Sequence, residues 1–120
     1  MPRTAVTVQT PKGPNVGAFT SNLCDITFTA ADVANKNSAV FQGNRMLVVI
    51  KNDDAGSVSW TITSKANPSG RTGDIVDPTF ETGKVAMFIV ERDGFQQEAD
   101  NSLHFEASDA DCKFAILAIP

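Results

Sequence analysis

Six aspartates fall in three close pairs, Asp53/Asp54, Asp74/Asp77 and Asp109/Asp111, each in a stretch rich in turn-forming residues. Oxygen-rich loops hold calcium, so each pair is a candidate ligand set. None has the spacing of an EF-hand loop, and Asp favours turns anyway because its carboxylate bonds the backbone two residues on. A carboxylate pair can also hydrolyse glycosides, but that depends on separation in space, and no pair stands out. His104 is the only histidine. A histidine base needs a nucleophile within reach and a group to orient it, and no motif such as GxSxG supplies one. Cys24 and Cys112 lie far apart and outside any CxxC pair, and with one His they make no zinc set. They read as two buried thiols, with a disulfide between them left open. Gly43-Asn44-Arg45 and Gly70-Arg71-Thr72-Gly73 are too short for a phosphate loop and read as turns. The expectation is a non-enzymatic protein with no catalytic, cofactor-binding or metal-ligating residues.

The elements that would position any site are strands. Ser57–Ser64 alternates most cleanly, with Val58, Trp60 and Ile62 on one face and Ser and Thr on the other. Asp25–Thr29 alternates in the same way through Ile26 and Phe28, and Ser102–Ala107 through Leu103 and Phe105, which turns His104 outward. Met46–Lys51, Lys84–Glu91 and Cys112–Ile119 are apolar runs, and Met46–Lys51 is apolar on both faces. Asp74–Val76 is a weaker strand that Pro78 interrupts. Ala30–Asn35 suits one helical turn, followed by a polar loop at Lys36–Ser38. Asn52–Gly56 reads as a hairpin-type loop, and further turn clusters recur at intervals of roughly 8–12 residues. That rhythm predicts a single all-β domain, a β-sandwich or barrel, mostly antiparallel, over residues 25–120.

Residues 1–24 differ from the rest. They hold Pro2, Pro11 and Pro14, with Arg3 and Lys12 as their only charges. They read as an extended arm, and the alternation over Thr4–Thr10 makes a short edge strand within it. An arm of this kind can add a strand to a neighbour's sheet, so Thr4, Val6, Val8 and Thr10 are the candidate partner-binding residues. Pairing of the same strand within its own domain is the other reading. Under the first reading, the domain would stay folded without residues 1–20.

The bulk composition narrows the partners. The net charge is −4 with no run of Lys or Arg, which argues against nucleic acid. The apolar runs are far shorter than the roughly 20 residues of a membrane-spanning helix. Met1-Pro2-Arg3-Thr4 lacks the apolar stretch of a secretory signal, so synthesis in the cytosol is expected. Trp60, on its alternating strand, reads as core rather than as a ligand platform. The absence of Tyr also weakens a carbohydrate-binding reading.

The order of these elements carries a resemblance. Asn35–Asn52, with Gly43-Asn44 ahead of Leu47-Val48-Val49-Ile50-Lys51-Asn52, then Val58–Thr63, Gly73-Asp74-Ile75, Gly83, Val85–Val90, Phe95 and the closing strand after Ser108, resembles the small β-sandwich capsid decoration (cement) proteins of tailed bacteriophages. The resemblance spans about residues 25–120 and rests on turn placement. It departs from the family where Phe88-Ile89-Val90-Glu91-Arg92 stands in place of a Gly-Pro-aromatic step. It implies a protein made in the host cytoplasm that sits on the capsid surface of the virion. There it would bind the major capsid protein, often as a homotrimer, and stabilise the shell without catalysis or cofactor. A head–tail joining or tail-tube subunit is the nearest alternative. A carbohydrate-binding β-sandwich module is a further one, and it would need an exposed Trp60 or exposed paired Phe rings.

Overall fold

A computed structural model describes residues 3–10, 26–65 and 73–119. The chain forms β1 (Thr4–Ala5), β2 (Val8–Gln9), β3 (Thr29–Ala30), β4 (Asn37–Val40), β5 (Arg45–Asn52), β6 (Val58–Thr63), β7 (Ile75–Phe80), β8 (Val85–Glu91), a single helical turn α1 (Arg92–Phe95), β9 (Ser102–Ala107) and β10 (Cys112–Ala118). The first sheet has the order β1-β4-β9-β6-β7. The second has the order β2-β10-β5-β8, with β3 also pairing with β10. No described helix is long and apolar enough to cross a membrane.

The all-β sandwich expected from the turn rhythm is present, and its connectivity can be named. With β1 and β2 set aside, one sheet reads 3-10-5-8 and the other 4-9-6-7, and every connection except β6–β7 changes sheet. This is the jelly-roll order, two Greek keys folded into facing sheets. Asn52–Gly56 is therefore no hairpin: β5 and β6 lie in opposite sheets and the loop turns the sandwich's corner. Pairing is antiparallel except where β1 runs parallel to β4 and β2 parallel to β10.

Alternation fills the space between the sheets. Val58, Trp60 and Ile62 of β6 and Leu103 and Phe105 of β9 meet Met46, Val48 and Ile50 of β5 and Phe114 and Ile116 of β10. Trp60 stacks on Phe88 (5.6 Å between ring centres) and meets Phe80 edge-on (6.0 Å). It is 5% exposed, a core residue as its strand predicted.

Several elements differ from the sequence expectation. Of the expected Asp25–Thr29 strand only Thr29 is paired, in the two-residue β3 that it forms with Ala30, and Asp25 lies outside the described residues. The helical turn expected within Ala30–Asn35 is a single turn at residues 33–35, closed by the Lys36 amide donating to the Asp32 carbonyl (2.7 Å), and Lys36 leaves it at φ 64°. Asn37 and Ser38, expected in a loop, begin β4. Asn37 is polar yet fully buried, because its Oδ1 accepts from the Asp32 amide (2.8 Å) and its Nδ2 donates to the Thr4 carbonyl (3.4 Å). Pro78 does not interrupt β7. As an edge strand with a register shift opposite Val58–Trp60, β7 does not need every amide for its ladder.

Candidate interaction surface

The same alternation that fills the core sets the outer face of the second sheet. Met46, Val48 and Ile50 of β5 point inward, so Leu47, Val49 and Lys51 point outward. On β10, Cys112, Phe114 and Ile116 are inside, leaving Lys113, Ala115 and Leu117 outside. On β8, Ala86, Phe88 and Val90 pack on the core, leaving Val85, Met87 and Ile89 outside. Apart from Lys51 and Lys113 at one end, this outer face is apolar across three strands.

Its two halves differ in cover. Towards β10, Val49, Ala115 and Leu117 form a second small buried cluster with Phe28 and Leu47 packed on it. Lys51 Nζ sits 4.5 Å from the centre of the Phe28 ring. Asp53 bridges Lys113 (3.0 Å) and Lys51 (3.4 Å), closing this end with charge. Towards β8 the face is open. Val85, Met87 and Ile89 are 62%, 68% and 51% exposed, and they stand directly opposite Lys51, Val49 and Leu47 in the ladder. The far end of β8 borders an open hollow of about 380 Å³ lined by Asn44, Arg45, Glu91 and Asp93. An apolar middle between charged rims is how the buried centre of a protein interface is built.

The residues proposed from the arm are placed as follows. Val6 is buried in the main core. Thr4 is exposed, its hydroxyl donating to Asp32, and its amide donates to the Lys36 carbonyl (2.9 Å). Val8 is half-buried and pairs with Ile116, and Thr10 is exposed beyond β2. Residues 3–10 thus lay one short strand on each sheet within their own domain, passing from the first to the second at Val6. Removing residues 1–20 takes a core side chain with it, so the remaining domain would not be left intact as the arm reading expects. Residues 11–24 of the expected arm lie outside the described residues, as does Cys24. Cys112 is a buried thiol, and burial pushes its pKa up to about 12.

Of the three aspartate pairs, the fold brings together Asp54, Asp109 and Asp111, with one oxygen of each within 4.8 Å of the others. Two of these side chains already serve their own turns. Asp54 accepts from the Gly56 amide (3.2 Å) and Asp109 from the Asp111 amide (2.8 Å). Asp74 accepts from the Ser64 amide and Asp77 from the Thr79 amide. His104 turns outward as expected, its Nε2 2.9 Å from Asp100 Oδ2. Ser38 and Thr63 stand opposite it in the ladder, but its side-chain hydrogen bonds among the described residues go to Asp100 alone. Exposed Trp60 or Phe rings, the requirement of a sugar platform, do not occur among the described residues.

Three exposed carboxylates are held below their ordinary value of 3.8. The causes are the Lys113 hydrogen bond at Asp53, the Thr4 hydrogen bond at Asp32 and the His104 hydrogen bond at Asp100. Depressed carboxylates bind fewer protons in the folded chain, so their contribution is present above the ordinary value and lost as pH falls through the folded ones. The melting temperature is therefore expected to fall as pH drops below about 4, most of all in low salt. A melting temperature that holds steady or rises from pH 5 to pH 3 contradicts this.

Comparisons with protein-family models, curated proteins and solved structures return no match. The surface residues that matter most here, Val85, Met87 and Ile89, were not singled out from the sequence. Their signal was nevertheless there: Lys84–Glu91 is apolar at odd and even positions alike. In a two-layer sandwich only one face of a strand can reach the core.

Proposed function

We propose that the protein is a non-enzymatic structural component of a tailed-phage particle that binds the outer surface of the capsid and stabilises the shell. The observation that carries this reading is the open apolar stripe of Val85, Met87 and Ile89, continuous with Leu47 and Val49 across the ladder. Contiguous exposed apolar surface on a small soluble domain marks a contact with another macromolecule. The jelly roll supports the reading only generally, since the fold also serves lectins and enzymes. The resemblance over residues 25–120 supplies the class of partner.

The physics of such a role is mass action. A protein that binds only the assembled lattice lowers the free energy of that lattice against its dissociated subunits. Repetition over symmetry-related sites turns weak single contacts into avidity. The test is co-sedimentation of the purified chain with phage shells assembled without it, alongside the temperature at which those shells come apart. Saturable binding at a fixed copy number per shell, with a raised disruption temperature, is expected. Unbound protein and unchanged shells would overturn the reading.

A further inference from the structure

The sandwich has four sheet edges, and three are blunted. In the first sheet β1 is two residues long, and β7 carries Pro78, Asp77 and a register shift. In the second, β2 and β3 share one edge with two residues each. Short strands, prolines, charges and irregular register are how β-proteins keep their edges from pairing with other chains. The fourth edge, β8, has none of these devices. It is seven residues long, contains no Pro, and has no charge between Lys84 and Glu91.

The ladder defines which backbone groups β8 leaves open. The Asn52 amide donates to the Lys84 carbonyl (3.1 Å) and the Arg92 amide to the Asn44 carbonyl (2.8 Å). In an antiparallel pair, hydrogen-bonded and non-bonded positions alternate. The even-numbered residues of β8 therefore bond β5, and Val85, Met87 and Ile89 aim their N–H and C=O groups out of the sheet. These are the same three residues whose side chains form the exposed stripe.

We propose that β8 is the seam of a two-fold homodimer, in which β8 of one copy pairs antiparallel with β8 of a second and joins two sheets into one. This rests on the reading of the apolar stripe as a contact surface and deepens it: a second copy is the partner of the strand's open edge, and the outward side chains of the two copies form one doubled stripe. The strand is complementary to itself in one sense only. Lys84 stands at its start and Glu91 at its end, so antiparallel pairing sets the cationic end of each copy beside the anionic end of the other, whereas parallel pairing sets like against like. With Met87 on the two-fold axis, Val85 of each copy faces Ile89 of the other, and every outward amide and carbonyl at these positions finds a partner. The stripe then runs unbroken from the Leu47–Val49 row of one copy to that of the other. A contact of this kind is isologous and closes on itself, so it ends at a dimer rather than growing a fibre.

The experiment is sedimentation equilibrium of the full chain across a wide concentration range, with amide hydrogen exchange read on β8. Wild type is expected to rise towards twice the 12.8 kDa chain mass, with exchange at Val85, Met87 and Ile89 slowing as the mass rises. Met87→Lys is expected to weaken association at least tenfold with an unchanged circular dichroism spectrum, since the side chain lies on the surface. Val76→Lys, at another exposed apolar site, on the blunted β7 edge, is expected to associate like wild type. A chain that stays monomeric at all concentrations, a trimer mass, or a Met87→Lys protein that dimerises normally overturns the proposal. Co-sedimentation with shells separates the two readings: a strict monomer that binds shells sinks the dimer alone, and a dimer that ignores them sinks the capsid role alone.

Discussion

Phe114→Ala is expected to cost the domain roughly 3–5 kcal/mol, a large part of the about 5–15 kcal/mol that holds a typical domain folded. Phe114 belongs to β10 and Phe105 to β9, so their contact, at 4.6 Å between ring centres and tilted by 59°, joins the two sheets through the middle of the sandwich. Both are fully buried. Phe114 also stands in register with Ile50 on β5 and with Thr29 on β3, so the space around it is bounded by strands from both sides of its own sheet. The three neighbouring strands, β9, β5 and β3, hold the space open, so the loss includes a cavity term beyond transfer of the ring. Urea denaturation followed by circular dichroism reads the change, which corresponds to about 10–20 °C in melting temperature for a domain of this size. Phe114→Leu, which refills most of the volume, should recover more than half of the loss. A loss below about 1 kcal/mol for Phe114→Ala would mean that the ring does not bridge the sheets.

Asn52→Ala is expected to destabilise by roughly 3 kcal/mol although it removes a polar side chain. Asn52 is buried at the end of β5, where three segments converge. Its Nδ2 donates to the Phe80 carbonyl (2.8 Å) and the Gly56 carbonyl (3.0 Å), and its Oδ1 accepts from the Asp54 amide (2.8 Å). One side chain thus ties the β5–β6 corner to the end of β7. Truncation strands two carbonyls and an amide, and each buried unpaired group costs about 1–3 kcal/mol, less where water can enter. The Gly83 amide meanwhile donates to the Asn52 carbonyl (3.0 Å), so the β7–β8 turn, with Gly83 at φ 75°, is held at the same point through the backbone. Chemical denaturation of Asn52→Ala beside Asn44→Ala, an asparagine on an exposed corner, checks the argument. Equal stabilities for the two variants would refute it.

Strand by strand, the sequence was legible wherever burial is one-sided and the pattern local. β6 shows the predicted alternation residue for residue and β9 shows it over Leu103–Glu106, with Ser102 buried as well; His104 faces outward, Trp60 is core, and the turn after Ala107 is where Ser108–Asp111 placed it. Asn37 and Ser38 were misread because polar residues in sequence look like loop. Asn37 enters β4 only because the Asp32 amide and the Thr4 carbonyl, groups set by two other segments, satisfy its amide. The candidate surface was legible as residue type but not as a surface. Lys84–Glu91 and Met46–Lys51 are both apolar on two faces, yet Val49 is covered by its neighbours while Met87, directly opposite it in the ladder, is open.

What the sequence determined by itself was therefore the class of the fold, the position of most strands and corners, and the inward face of the alternating strands β6 and β9, because a period of two is written in consecutive residues. The tertiary structure decided which strands share a sheet, that Asn52–Gly56 is a corner rather than a hairpin, that Thr4–Gln9 divides between two sheets around a buried Val6, and that β8 is a sheet edge with no strand beyond it among the described residues. Each of these depends on segments far apart in the chain meeting in space. Pairing is a property of two strands together, and no pattern within one of them encodes which neighbour completes its hydrogen bonds or covers its second face.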